Sequence, residues 1–218
     1  LPAAGKALSI KLAGSDEVVY VSGGDGSTSE GDFFEAMNFA CIHKLPVIFV
    51  IQDNGWAISV PVAEQTAGAS IAALCAGFAG LAIHDIDGCD YDAVEGALTQ
   101  AVGRARVGQG PSLVRAVVPR LAAHSSSDDP SKYKAPELSQ EEWARDPLPL
   151  MEQWILKNRV ATEEQIEALK ATLRQQVEEA SDLAETIPFP KREDAGKHLF
   201  VETPAVEELP PQYITDDK

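Results

Sequence analysis

Val47-Ile48-Phe49-Val50-Ile51 is apolar without a break, and that run limits the folds open to this chain more than any other feature. A strand with one wet face alternates apolar and polar side chains. Five apolar residues in a row instead suit a strand covered on both sides, as in a parallel sheet flanked by helices. Leu113-Val114 repeats the pattern more briefly. The periodicity predicts helices over 3–12, 32–43, 69–79 and 90–107, and strands over 17–22, 46–52, 81–86 and 112–118. Their alternation gives an α/β fold, a parallel sheet with helices on both faces. In the second helix Phe33, Met37, Ala40 and Cys41 share a face, and Ser29 with Asp32 fits a capping pattern at its start. Pro46 and Pro111 precede strands, where a missing N–H costs little.

Two parallel strands joined by a helical crossover end at the same edge of their sheet. The first runs into Gly23-Gly24-Asp25-Gly26-Ser27 and the second into Gln52-Asp53-Asn54-Gly55-Trp56, so Asp25 and Asn54 are expected to converge. One carboxylate and one amide oxygen, beside freed backbone N–H groups, are what a magnesium-bound diphosphate requires. Plainer readings compete. The glycines also serve simply to turn strand into helix, with Asp25 capping the turn. A Gly-Gly-Asp-Gly loop suits a nucleotide-binding, kinase-like domain too, which gives Asn54 no task. A non-catalytic interaction fragment is the third reading.

At 218 residues and 44% hydrophobic, the chain can bury a sizeable core. A net charge of −16 with no basic stripe argues against nucleic acid. More than half of the acidic residues fall in 137–218, interspersed with Lys and Arg as on a solvated helical face. No apolar run approaches the roughly 20 residues that span a bilayer. Cys41, Cys75 and Cys89 have no CxxC spacing and are odd in number, which argues against a full disulfide framework and for a reducing interior. Cys41 and Cys75 lie in apolar helical runs and are expected to be buried.

The opening helical pattern, Leu1 to Leu12, has no initiator Met and no strand before it, so the chain reads as one piece of a longer polypeptide. The expected domains are an α/β domain over 1–136, a helical extension over 137–187 and a Pro-rich tail or linker over 188–218. Residues 120–136 read as a loop. Ser139 with Glu142, and Thr162 with Gln165, fit capping boxes. Met151, Trp154 and Ile155, then Ile166, Leu169, Leu173 and Val177, form apolar stripes. From Ile187 the prolines predict an extended or disordered tail.

Gly24-Asp25-Gly26-Ser27-Thr28-Ser29-Glu30-Gly31-Asp32-Phe33, taken with Asn54-Gly55-Trp56-Ala57-Ile58-Ser59-Val60-Pro61, resembles the signature of thiamine diphosphate enzymes. The branch is the α component (E1α) of the 2-oxo acid dehydrogenase complexes. Arg120, His124-Ser125-Ser126-Ser127-Asp128-Asp129-Pro130 and Tyr133 continue the resemblance through that family's phosphorylation loop, and it covers most of residues 1 to about 200. It implies Mg²⁺ held by Asp25, Asn54 and the Trp56 carbonyl, with the main chain at Gly24, Gly26 and Ser27 on the diphosphate of thiamine diphosphate. It further implies that Arg120 reaches the diphosphate and that Ile58, also a core residue, props the thiazolium. His124 would sit near the reactive carbon, positioning or protonating the intermediate, and Ser125 matches a regulatory phosphosite. The Trp56 side chain reads as packing, since the match uses its backbone.

The implied reaction is oxidative decarboxylation of a 2-oxo acid, branched-chain or pyruvate, with the loop favouring branched-chain. The acyl group would pass to a lipoyl-bearing E2. An E1β subunit, or a fused β half, would complete an α2β2 assembly and supply the glutamate that activates the cofactor. A bacterial cytoplasm is the expected location, or else the mitochondrial matrix. Two positions depart from the family pattern: Asp53 stands where Asn is commoner, and Ala122 where Gly is usual.

Overall fold

The computed structural model describes residues 1–197, and these fall into two compact units, the first Leu1–Thr162 and the second from Glu163 onward. The part of the expected tail that carries Pro204, Pro210 and Pro211 lies outside the described residues.

In the first unit, α1 (Pro2–Leu12), β1 (Val19–Gly24), α2 (Gly31–His43) and β2 (Val47–Asp53) follow in order. A two-stranded hairpin of β3 (Trp56–Ala57) and β4 (Val60–Pro61) leads into the short helices α3 (Val62–Gln65) and α4 (Ile71–Cys75). Then come β5 (Ala82–Asp87), α5 (Tyr91–Arg106), β6 (Ser112–Val117), α6 (Pro136–Ala144) and α7 (Pro147–Lys157). Strands β1, β2, β6 and β5 form, in that order, one parallel sheet.

Val47 to Ile51 are all buried, as an uninterrupted apolar strand demands. Val47, Phe49 and Ile51 pack with Leu113 beneath α1, α2 and α4, against Ala7, Met37 and Ile71. Ile48, Val50 and Val114 face α5 through Ala97 and Ala101. The sheet is thus covered on both faces, the α/β architecture expected from the sequence, and a helical region follows it. Leu113 is fully buried at the centre. Leu113→Ala should cost about 2–5 kcal/mol, because the packed neighbours collapse only partly into the void; urea unfolding measures it.

Several local expectations are corrected. The helix foreseen over 69–79 shrinks to Ile71–Cys75: Ala69 takes left-handed backbone (φ 52°), extended Ser70 caps the helix by accepting from the Ala73 N–H, and the chain after Cys75 continues in turns. Glu30, not Ser29, stands at the N-cap of α2 and makes no side-chain cap. The Ser29 hydroxyl instead accepts a hydrogen bond from Gln65. Ser139 lies inside α6, whose N-cap is Ala135, so no capping box forms there. Cys41 is only half-buried, whereas Cys75 is buried, and burial pushes the Cys75 thiol up to about 11.

The helical region from 137 begins with α6 and α7, both within the first unit. Tyr91 packs against Trp154 with ring centres 4.3 Å apart and planes inclined at 50°, and the Trp154 indole donates to Asp92. The second unit is α8 (Glu163–Thr186) and a 3₁₀ turn, Arg192–Gly196. Leu169, Leu173 and Val177 are exposed along α8.

Candidate functional site

Parallel strands present their C-terminal ends together, and here three adjacent ends supply the candidate residues. Gly24 on β1 lies opposite Gln52 on β2, and Asp53 lies opposite Val117 on β6. The residues that follow, Asp25, Asn54 and the Pro119-Arg120 segment, therefore leave the sheet side by side. Asp25 starts a 3₁₀ turn, Asp25–Ser29. It is 1% exposed, and neither carboxylate oxygen has a hydrogen-bond partner. Burial pushes its pKa up, and the charge of Asp53 adds to that. The main-chain N–H groups of Asp25 and Asn54 and the Arg120 guanidinium act in the opposite direction but do not cancel it. An ionised carboxylate buried without a partner is costly. The arrangement makes sense if a cation completes it.

The other acidic side chains of this edge already have cations. Arg115 donates from Nε to Asp53 at 2.6 Å and from Nη1 to Asp85 at 3.0 Å, and Arg145 pairs with Asp87 at 2.7 Å. Burial weighs against the Arg115 charge, but hydrogen bonds and attraction from Asp53 and then Asp85 raise its pKa above the ordinary value. Among the described residues no three His, Cys, Asp or Glu side chains form a metal-binding group. A cation at Asp25 would draw its remaining ligands from amide, carbonyl and ligand oxygens.

Two successive side-chain turns shape the next segment. Asp53 Oδ1 accepts from the Gly55 N–H and Asn54 Oδ1 from the Trp56 N–H, both at 3.0 Å. The chain then enters the β3–β4 hairpin, where Ile58 takes left-handed backbone at φ 56°. For a β-branched residue that conformation is strained by roughly 1–3 kcal/mol, a feature concentrated at functional sites. Ile58 is 56% exposed, so the expectation that it doubles as a core residue is corrected: the hairpin turns its side chain outward.

Gly24, Asp25, Gly26, Ser27, Asn54, Trp56, Ala57, Ile58 and His124 line one cavity of about 430 Å³. A Cβ on Gly26 would lie 3.0 Å from Ala57 Cβ and 3.3 Å from its Cα, so the turn and the hairpin approach this closely only because residue 26 lacks a side chain. Gly26→Val should shift the hairpin and weaken ligand binding in this cavity about tenfold or more, measured by calorimetric titration. The Ser27 hydroxyl donates back to the Gly24 carbonyl at 2.7 Å, which ties the turn to the end of β1.

The loop after β6 brings in His124. Its main-chain N–H donates to Asp128 Oδ2 at 2.8 Å, and the Tyr133 hydroxyl donates to the same oxygen at 2.6 Å. Arg120 donates to the Tyr133 hydroxyl and to the Ile58 carbonyl. Arg120 is therefore engaged in bracing the loop against the hairpin, and it does not line the cavity. Its guanidinium carbon lies 5.7 Å from the centre of the Trp56 ring, and Trp56 and Tyr133 pack at 5.2 Å. Ser125 is exposed, its hydroxyl 3.2 Å from that of Ser127. The structure thus gathers every nominated residue except Arg120 and Ser125 around one cavity.

Three contributors were missed. Lys134, buried, joins the Arg120 carbonyl to Glu142. Arg115 neutralises Asp53, and Gln65 binds the Asp25 carbonyl. No motif marks any of them, and only the partners they reach reveal them.

Comparison with known proteins places this geometry in context. The family described as "Dehydrogenase E1 component" matches residues 1–193. The chain is 39% identical over 186 residues to the 3-methyl-2-oxobutanoate dehydrogenase subunit alpha of Mycobacterium tuberculosis, covering 83% of this chain and 50% of that protein. In Bacillus subtilis, the 2-oxoisovalerate dehydrogenase subunit alpha is 35% identical, with 91% of this chain and 60% of that protein covered. The pyruvate dehydrogenase E1 component subunit alpha of the same organism is also 35% identical, covering 92% and 54%. The chain thus spans about half the length of these curated relatives. With the match running through sheet, cavity and loop alike, the chain belongs to the dehydrogenase E1 component family.

Proposed function

We propose that this chain forms the thiamine diphosphate- and Mg²⁺-binding part of the E1α component of a 2-oxo acid dehydrogenase. The observation that carries the reading is the buried, unpartnered Asp25 carboxylate, which lines a cavity with Asn54, Gly24, Gly26 and Ser27. Asp25, the Asn54 side-chain oxygen and the Trp56 carbonyl are the groups that would hold Mg²⁺, a hard cation that takes a few protein oxygens and fills the rest with phosphate oxygens and water. The main chain at Gly24, Gly26 and Ser27 would bind the diphosphate. Thiamine diphosphate supplies, when bound, an electron-accepting ring for the loss of CO₂ from a 2-oxo acid. Ile58, held outward on its strained turn, would support that ring. His124 would position or protonate the reacting oxygen. Arg120 would contribute positive charge from the rim while bracing the loop.

The 124–130 loop pattern motivates a branched-chain 2-oxo acid as first choice and pyruvate as second, and the relatives' names divide between the two. On this reading the acyl group passes to a lipoyl-bearing E2. An E1β subunit, or a fused β half, completes an α2β2 assembly and provides the activating glutamate, and the protein works in a bacterial cytoplasm. Exposed Ser125 is the position where phosphorylation would block access to the cavity. Calorimetric titration with thiamine diphosphate and Mg²⁺, alone and with a β component, tests the core of the reading. Binding that requires both ligands supports it, whereas binding of ATP without thiamine diphosphate would replace it by a nucleotide site. Comparing CO₂ release from 2-oxoisovalerate and pyruvate in the reconstituted complex tests the substrate.

A further inference from the structure

Helix α3 is only four residues long, yet it touches both turns of the candidate site. At its start the Val62 N–H donates to the Gly55 carbonyl at 2.8 Å, and at its end Gln65 Nε2 donates to the Asp25 carbonyl at 3.0 Å and to Ser29 Oγ at 2.9 Å. The Asp25 carbonyl also accepts from Thr28 Oγ1 at 2.7 Å, so both of its lone-pair directions are occupied. One donor comes from within the turn, and the other comes from 40 positions away. Among the described residues, Gln65 is the side chain that ties the segment after the hairpin back to the Asp25–Ser29 turn by hydrogen bonds. It adds a long-range hydrogen-bonded link between the two turns to those made by the sheet and by the close approach at Gly26.

We propose that Gln65 is a positioning residue that locks the Asp25 turn to the Asn54–Trp56 turn, and so sets the spacing of the two side chains that would share a cation. The inference rests on the proposed cofactor site and adds a residue to it. Partners that hold ligating groups in place typically change metal affinity 10–100-fold when removed. Gln65→Met keeps the side chain's length and removes both hydrogen bonds. Ser29→Ala removes only the bond to the Ser29 hydroxyl and leaves the one to the Asp25 carbonyl.

The test measures Mn²⁺ binding by electron paramagnetic resonance in the presence of thiamine diphosphate, in the full protein with its β component. Urea unfolding verifies that each variant is folded. Gln65→Met is expected to bind Mn²⁺ 10–100-fold more weakly. Its kcat should recover at high Mg²⁺ with the KM for the 2-oxo acid unchanged, while Ser29→Ala stays near the parent. Parental Mn²⁺ affinity in a folded Gln65→Met variant would overturn the positioning role. So would a lost kcat that excess Mg²⁺ fails to restore. If the unaltered protein binds no Mn²⁺ with the cofactor, the functional reading itself is refuted, which is a separate outcome.

Discussion

Asp25→Asn is expected to abolish joint binding of Mg²⁺ and thiamine diphosphate, with affinity falling by roughly two orders of magnitude or more, while the ligand-free protein becomes more stable. The two effects have one cause. Asp25 is 1% exposed and lacks a hydrogen-bond partner, so its charge costs free energy until a cation arrives. The neutral amide removes that cost, worth about 1 kcal/mol or more, but also removes the anionic ligand. The pH dependence has a definite sign. Burial raises the Asp25 pKa in the folded state, so the folded protein holds the proton more tightly than the unfolded chain. Stability from this group is then fully present below the ordinary carboxylate value, about 4, and is lost as pH rises through the raised value. Asn removes that dependence. Thermal unfolding against pH, with and without Mg²⁺ and cofactor, reads all three effects, and a variant no more stable than the parent would show that Asp25 carries no uncompensated charge.

Arg115→Leu is expected to destabilise the protein by about 3–5 kcal/mol, the usual effect of leaving one member of a buried ion pair alone. Asp53 is 3% exposed and depends on Arg115 at 2.6 Å, whereas Asp85 is half-exposed and contributes little. Asp53→Asn introduced beside Arg115→Leu should recover most of the loss. The amide oxygen can still accept from the Gly55 N–H, and no charge remains to be neutralised. Urea unfolding of both single variants and the double variant gives the coupling directly. A double variant as unstable as Arg115→Leu would mean that Arg115 acts through packing instead. The pair also accounts for Asp53 in a family position where Asn is commoner: this chain carries both the charge and its neutraliser.

The parts of this protein that repeat or run consecutively were readable from the residues. Val47 to Ile51 declared a doubly covered strand because both of its faces are written in five adjacent letters. The strand–Gly-Asp-Gly and strand–Asn endings placed Asp25 and Asn54 at one edge because parallel pairing leaves them no other. Local choices governed by competition were less legible. Ser29 and Ser139 look like helix caps, yet each is claimed elsewhere, Ser29 by Gln65 and Ser139 by the interior of α6. Ile58 reads as core by residue type, but a positive φ turns it outward.

The order of residues alone therefore gave the α/β architecture and the sheet edge at which Asp25 and Asn54, the side chains nominated for the cation, come together. Tertiary structure decided how those groups are held. Arg115 meets Asp53 across 62 positions, and Gln65 meets the Asp25 carbonyl across 40. Such bonds exist only after strand register and the hairpin have brought distant backbone together. Their strength comes from burial, which no residue carries by itself.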